Sequence, residues 1–464
     1  MHAALWRLSR LLEPDRTALV HWLLERNSMT STKQKAGGTR LLYLDNVRYL
    51  LILLVVLFHS ACSYSDVVPF WPFHDSVKSH LADIVIMFLN VFMMPILFFI
   101  AGYFTLPSLQ KEGACRFLVS KFKRLGIPWL VITVFLLPVL DYIHYARRSL
   151  TSGLSVMGYL DYWMRSIAKI AEFRIGFMSM TEYLPMIEHY YQRYMWFLSL
   201  LFLFFVVFCL LYQIRHAWLK SSARPADSIA MSERRVTATL LVFGFLVSIA
   251  YFWVYRSLSP PRGWFTLGNL IQFQPSELVL YVGYFALGIY AFANKWLGNA
   301  ETLGNLRIWV PACFLLSGGM VLVGRSLFRS LEPSLGLYLA FAFFYSFLGL
   351  SFLVVLTSIS VKYWNHPSRV NESWASNSYN IYLVHYPFVM LLPLLVSGWT
   401  GGPVLVRWGA VFLASALSSY GVSEYGIKRF PRLMVLGLVA VNVLMVVFTL
   451  LEPRVLSSTL HSGM

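Results

Sequence analysis

Charge is what this chain has least of. Charged residues fill 13% of its 464 positions, about half the roughly 25% of soluble globular proteins. With 58% hydrophobic residues, that scarcity excludes an ordinary water-soluble domain. Cysteine is scarce too. Cys62, Cys115, Cys209 and Cys313 form no CxxC pair and no metal-ligand spacing, which argues against a disulfide framework or a zinc site, and no metal is expected. The first forty residues are expected to hold no secretory leader, because Arg7, Arg10, Glu13, Asp15 and Arg16 break the apolar stretches before an h-region forms. Internal repeats, common in secondary transporters, are also missing. The net charge of +17 would suit nucleic acid, but no basic block is long or interleaved with aromatics, so no nucleic-acid partner is expected.

What is present is a series of apolar runs close to 20 residues long, near 41–63, 82–105, 125–145, 194–212, 237–255, 276–294, 308–328, 336–360, 375–397, 404–423 and 433–451. Runs of this length span a bilayer as helices. The expected fold is all-α: a polytopic membrane protein built as a single bundle of 10–11 transmembrane helices. Residues 1–40 read as a cytoplasmic segment, partly amphipathic or flexible. Residues 41–432 read as the transmembrane domain, and 433–464 as an additional helix and short tail. Counted over the alternating segments, 24 lysines and arginines fall on the N-terminal side and 13 on the other. By the positive-inside rule the N-terminus is therefore expected in the cytoplasm.

The first run, LLYLDNVRYLLILLVVLFHSACS, carries Asp45, Arg48 and His59. A charged group at the centre of a membrane helix costs roughly 2.5–3.5 kcal/mol, so such residues need partners or a purpose. Eleven helical residues return to within about 20° of the starting direction, which puts Arg48 and His59 on one face about 16 Å apart along the axis. Asp45, one turn before Arg48, is placed to pair with it. Neutral imidazole is the usual base for taking a proton from a hydroxyl. The track is read as an active site with His59, Arg48 and Asp45 as its catalytic residues.

Two further stretches carry polar groups at helical spacing. In LVSKFKRLGIPWL, Lys121 and Arg124 are three apart and are expected to project together as a two-pronged anion site. In WASNSYNIYLVHYPFVMLL, Ser378, Tyr382 and His385 fall near one face, with His385 expected at a depth comparable to His59. Trp196 is a weaker candidate, since Trp belongs at membrane interfaces. Asp141 and His144 read as a local pair, and Glu424 and Lys428 as an i,i+4 ion pair. The long segment 146–193 is too apolar for disorder, and an interfacial helix is expected around Asp161–Tyr162–Trp163.

Together these stretches resemble the integral-membrane acyltransferase family 3. LDNVRYLLILLVVLFH is similar to its first-span motif, an Arg followed by ten residues and a His, which falls on Arg48 and His59. MPILFFIAGYF resembles its second span, KFKRLGIPW its basic third-span mouth, and SNSYNIYLVHYPFV its late Ser, Tyr and His helix. The phrasing GYF, RLGIP, WFL and IYLVH is most similar to the periplasmic glucan succinyltransferase branch. Two positions depart from the pattern. Lys121 stands where the family commonly has Arg, and Lys binds phosphate as a point charge rather than a fork. Tyr194 stands two residues before the Trp of the WFL run, where the family often has His, which leaves His189, or no residue, for that role.

The resemblance implies an acyl-CoA-dependent O-acyltransferase. Acyl-CoA is the co-substrate, held by Lys121 and Arg124. A carbohydrate or other hydroxyl acceptor is modified at the outer side of a bacterial inner membrane, as in glucan biosynthesis. The residues alone also allow a secondary transporter or flippase with an intramembrane His/Arg pathway. The oligomeric state stays open, a homo-oligomer included.

Overall fold

Lipid offers no partner to a free N–H or C=O, so an apolar run of membrane length closes its hydrogen bonds within itself as a helix. A computed structural model of the chain describes residues 41–69, 71–178, 190–219, 231–258, 263–297, 304–396 and 402–451. The expected amphipathic segment before Leu41, His189, and the tail after Leu451 lie outside the described residues. Every run picked out by hydropathy is a helix, and 11 helices are long and apolar enough to cross a membrane.

In chain order these are α1 (Leu42–Cys62), α2 (His80–Glu112) and α3 (Ala114–Thr151), then, after an intervening helix α4 (Tyr159–Ala171), α5 (Trp196–Leu219) and α6 (Glu233–Ser257). There follow α7 (Pro275–Ala293), α8 (Leu306–Arg329), α9 (Leu335–Tyr363), α10 (Arg369–Val396), α11 (Val404–Ile427) and α12 (Pro431–Leu451). Consecutive spans alternate in direction, so the bundle has one end at Leu41 and a far end at Ser63. Phe314 and Leu315 on α8 are 76% and 77% exposed, an apolar surface that belongs against lipid. The protein is a multi-pass integral membrane protein.

The proline interruptions do not break the spans. Helix α2 runs through Pro95 and Pro107, and α10 through Pro387 and Pro393. Glycine sets the closest helix contact. A Cβ added to Gly102 of α2 would lie 2.1 Å from the Phe285 carbonyl oxygen of α7, and one added to Gly288 would lie 2.1 Å from that of Phe99. Only hydrogen fits there, so the two backbones touch, as small residues allow in membrane bundles.

The far end holds the features hydropathy does not show. Helix α4, expected at the interface, is followed by a three-stranded antiparallel sheet in the order β1 (Ile175–Met178), β2 (Trp264–Leu267), β3 (Ile271–Phe273). Asn269, in the β2–β3 turn with φ +55°, donates through Nδ2 to the carbonyls of Lys169 and Glu172, both at 2.9 Å. The hairpin is thereby tied to the end of α4. Helix α12 is fastened at its one buried residue, Asn442, and at Thr449, which accepts from the Tyr159 N–H at 3.1 Å. Asn442 accepts from the Tyr159 hydroxyl at 2.5 Å and donates to the Phe135 carbonyl at 2.9 Å.

Candidate active site

Helix α1 presents its polar track to α10. At the Leu41 end, Arg48 pairs with Asp45 at 3.0 Å and reaches the Ala375 carbonyl of α10 at 3.5 Å. Tyr49 donates to Asn371 at 2.8 Å, and Asn46 to the Trp364 carbonyl at 2.7 Å. These bonds fix the rotation of α1, and the same face carries His59 towards the far end. There His59 Nδ1 meets His385 Nε2 at 3.0 Å. The other nitrogen of His385, Nδ1, lies 2.7 Å from its own helix's Tyr382 carbonyl.

That second contact assigns the hydrogens. A carbonyl oxygen only accepts, so His385 Nδ1 carries the hydrogen and its Nε2 presents a lone pair. His59 must then donate through Nδ1, which leaves its Nε2 as a lone pair directed away from His385. Aromatic side chains close around the pair. Trp71 stacks on His59 with ring centres 5.7 Å apart and planes at 20°. Tyr386 meets the His59 ring edge-on at 5.8 Å, and Tyr194 meets His385 edge-on at 5.1 Å.

Two irregular segments place those rings. Residues 63–69 and 71–79 form a strap: Trp71 Nε1 donates to Ser63 at 3.0 Å, the Asp75 N–H to the Ser63 carbonyl at 2.9 Å, and Arg407 of α11 pairs with Asp75 at 3.0 Å. Residues 190–195 are held from both sides. Gln192 donates to the Asn269 carbonyl at 3.0 Å and accepts from Trp129 at 3.2 Å. The Tyr194 hydroxyl donates to the Leu383 carbonyl at 2.7 Å, while the Tyr382 hydroxyl donates to the Tyr194 carbonyl.

With the geometry in place, comparison with known proteins decides the family. The family model for the acyltransferase domain of acyltransferase family 3 matches residues 41–424. The chain belongs to acyltransferase family 3. No curated protein and no solved structure matches it.

The matched stretch of this acyltransferase contains every candidate catalytic and CoA-binding residue named from its sequence, and the structure brings some of them together and separates others. His59, Tyr382 and His385 converge. Ser378 is buried beside them in sequence but spends its hydroxyl on the Ala375 carbonyl at 2.8 Å, the same oxygen that Arg48 approaches. Trp196 is not at the histidine pair. It stacks on Tyr281 at 5.4 Å and meets Trp264 of β2 at 5.7 Å. Lys121 and Arg124 are near enough for the guanidinium charge to act on the lysine, yet they rest on different aromatic faces. Residues Phe122–Gly126 form a π-helical turn, which has more residues per turn and so rotates Arg124 relative to Lys121. Lys121 lies over Phe117 and Phe205, whereas Arg124 lies over Tyr379 of α10.

The expected Asp141–His144 pair is also replaced. Asp141 binds Arg193 at 2.7 Å, and His144 bonds the main chain at Pro72. A permanently charged guanidinium with two N–H groups on one oxygen outcompetes an imidazole one turn away. Glu424 and Lys428 do pair, at 2.7 Å, and Asn377 joins Glu424 at 2.7 Å. Trp71 and Tyr386 went unremarked in the sequence, and Tyr194 stood out only as a departure from the family pattern. Both Trp71 and Tyr194 sit in irregular segments, where no periodicity shows which way a ring points.

Proposed function

We propose that this acyltransferase moves an acyl group, such as acetyl or succinyl, from cytoplasmic acyl-CoA to a hydroxyl of a carbohydrate or similar acceptor at the outer side of the membrane. The observation that carries the reading is the 3.0 Å contact of His59 Nδ1 with His385 Nε2, from which the tautomer of His59 follows. In this reading the Leu41 end is cytoplasmic, in line with its excess of lysine and arginine. Lys121 and Arg124 flank that mouth and receive the CoA phosphates, each against an aromatic face. CoA itself does not cross. Its pantetheine arm reaches inwards past Arg48 towards His59.

At the pair, His59 Nε2 takes the proton of the acceptor hydroxyl as that oxygen attacks the thioester carbonyl. The C–O bond forms, the C–S bond breaks, and the departing sulfur takes the proton from the imidazolium, giving ester and free CoA thiol. The positive charge arising on His59 is shared along the Nδ1–H bond to His385, a bond that strengthens when its donor is charged. Arg48 lies about 16 Å along the helix from His59, too far to touch the carbonyl under attack. It lines the donor's approach, with Asp45 holding its guanidinium.

The test uses the purified full chain in detergent with labelled acetyl-CoA and succinyl-CoA and a panel of glucans, following free CoA and label on the glycan. His59→Ala is expected to fold and bind CoA while turnover falls about 100-fold or more. Turnover equal to wild type would remove His59 as the base.

A further inference from the structure

A second polar cluster lies at the far end, between α3, α4 and the 190–195 segment. Arg193 donates through Nε at 3.1 Å and Nη2 at 2.7 Å to the same oxygen of Asp141, Oδ1. The other oxygen, Oδ2, has no protein partner among the described residues, and neither do the hydroxyls of Thr133, Tyr162 and Tyr190. All four residues are buried, none more than 2% exposed. They lie along one stretch of α3, with Thr133 about two turns before Asp141. Tyr162 and Tyr190 both lie near enough to feel its charge, and the Tyr190 hydroxyl faces that of Thr133 without closing a regular hydrogen bond.

Leaving a buried polar atom unpartnered is costly, and native proteins carry few. Four along this stretch mark a polar site, and their chemistry selects what fits it. Oδ2 only accepts, so the occupant donates to it. The Arg193 guanidinium disfavours a cation, and the carboxylate disfavours an anion. The three hydroxyls accept and donate, which suits a neutral group with several hydroxyls of its own. Flat apolar walls adjoin the cluster: Tyr145 stacks on Tyr162 at 5.3 Å, and Tyr142 meets Tyr159 at 5.0 Å.

The cluster adjoins the histidine pair on two sides. Arg193 directly precedes Tyr194, whose ring packs against His385. His144, one turn after Asp141, bonds the main chain at Pro72, next to Trp71.

We infer that Asp141, Thr133, Tyr162 and Tyr190 form a subsite for the non-reacting hydroxyls of the acceptor, so that the acceptor is polyhydric and uncharged where it enters. This rests on the acyl-transfer reading above. A hydroxyl brought to His59 is then one of several on the same molecule, the others held by this cluster. A lone alcohol lacks that second hold.

The experiment uses the full chain with labelled acetyl-CoA and three acceptor probes: methyl α-glucoside, glycerol and 1-propanol. Transfer to the two polyhydric probes is expected to be at least tenfold more efficient than to 1-propanol. Tyr162→Phe and Tyr190→Phe are each expected to raise KM for the polyhydric probes about threefold or more, with a smaller effect on kcat. Both should melt at or above the wild-type temperature, because each removes an unpartnered hydroxyl. Tyr142→Phe is the contrast: its hydroxyl already donates to the Met157 carbonyl at 2.9 Å, so it should lower the melting temperature and leave KM alone. Wild-type KM in both Tyr162→Phe and Tyr190→Phe, or equal use of 1-propanol, would mean that the cluster holds water only. If the wild-type protein releases no CoA with any probe, acyl transfer fails separately. The subsite is then read by thermal shift, where methyl α-glucoside should stabilise wild type but not the Tyr162→Phe/Tyr190→Phe double variant. Equal shifts would overturn it.

Discussion

Two neutral imidazoles in hydrogen-bond contact share one hydrogen between facing nitrogens, so whatever orders the second ring decides what the first can do. Here that control comes from a main-chain carbonyl, Tyr382, 2.7 Å from His385 Nδ1. In the proposed reaction His385 is a positioning residue, which would act by holding His59 Nε2 as a lone pair. His385→Ala is expected to lower kcat about 100-fold with little change in KM for acyl-CoA. His385→Gln, whose side-chain oxygen can still accept from His59 Nδ1, should recover part of the loss. If both variants are equally impaired, the acceptor at that position is not what matters. Half of this site was legible in the sequence. The shared face of Arg48 and His59 follows from helical periodicity alone. The contact between His59 and His385 does not, because it depends on the relative depth of two helices that are 326 residues apart.

At the scale of elements, the strap over His59 contains a titratable contact outside the membrane spans. His74 Nδ1 lies 2.6 Å from Lys78 Nζ, and His74 Nε2 lies 3.2 Å from the Pro69 carbonyl. The ammonium can only donate, so His74 is neutral, accepting at Nδ1 and donating at Nε2. Partial burial, then the Lys78 charge, hold its pKa below the ordinary histidine value, with the Pro69 bond and Asp66 opposing. A base with a lowered pKa in the fold favours the folded state fully above about pH 6.5, its unfolded value, and loses that contribution as pH falls through the lowered one. The melting temperature of wild type should therefore fall more steeply below about pH 6.5 than that of His74→Gln. Parallel curves would show that His74 does not titrate against the strap. The strap was not legible beforehand, since its order comes from scattered bonds such as Asp75 to Arg407 rather than from a repeating pattern. The π-helical turn at Phe122–Gly126 was hidden for a related reason: it inserts no distinctive residue, yet Lys121 before it and Arg124 within it rest on different aromatic faces.

Across the whole molecule, hydropathy was enough to find each span, because the bilayer imposes length and apolarity on every one of them. What hydropathy leaves out is how the spans are fastened. Helix α12 lies after the family-matched stretch and exposes most of its surface, and its one buried residue is Asn442. Asn442→Leu makes the helix more apolar yet is expected to destabilise the protein by about 1 kcal/mol, because it strands the Tyr159 hydroxyl and the Phe135 carbonyl. Thermal unfolding in detergent checks this, and an equal or higher midpoint would show that the Asn442 bonds do not hold α12.

The contact between α2 and α7 has a consequence for traffic through the bundle. At Gly102 and Gly288 main chain rests on main chain, so no side-chain rotation can part these helices and nothing as wide as a pantetheine arm passes between them. That seam is a wall. The α1–α10 face is different: Arg48, Tyr49, His59 and their partners meet through side chains that can swing aside and return. If a substrate is to be threaded into this bundle without taking it apart, the door is on the side of the proposed chemistry.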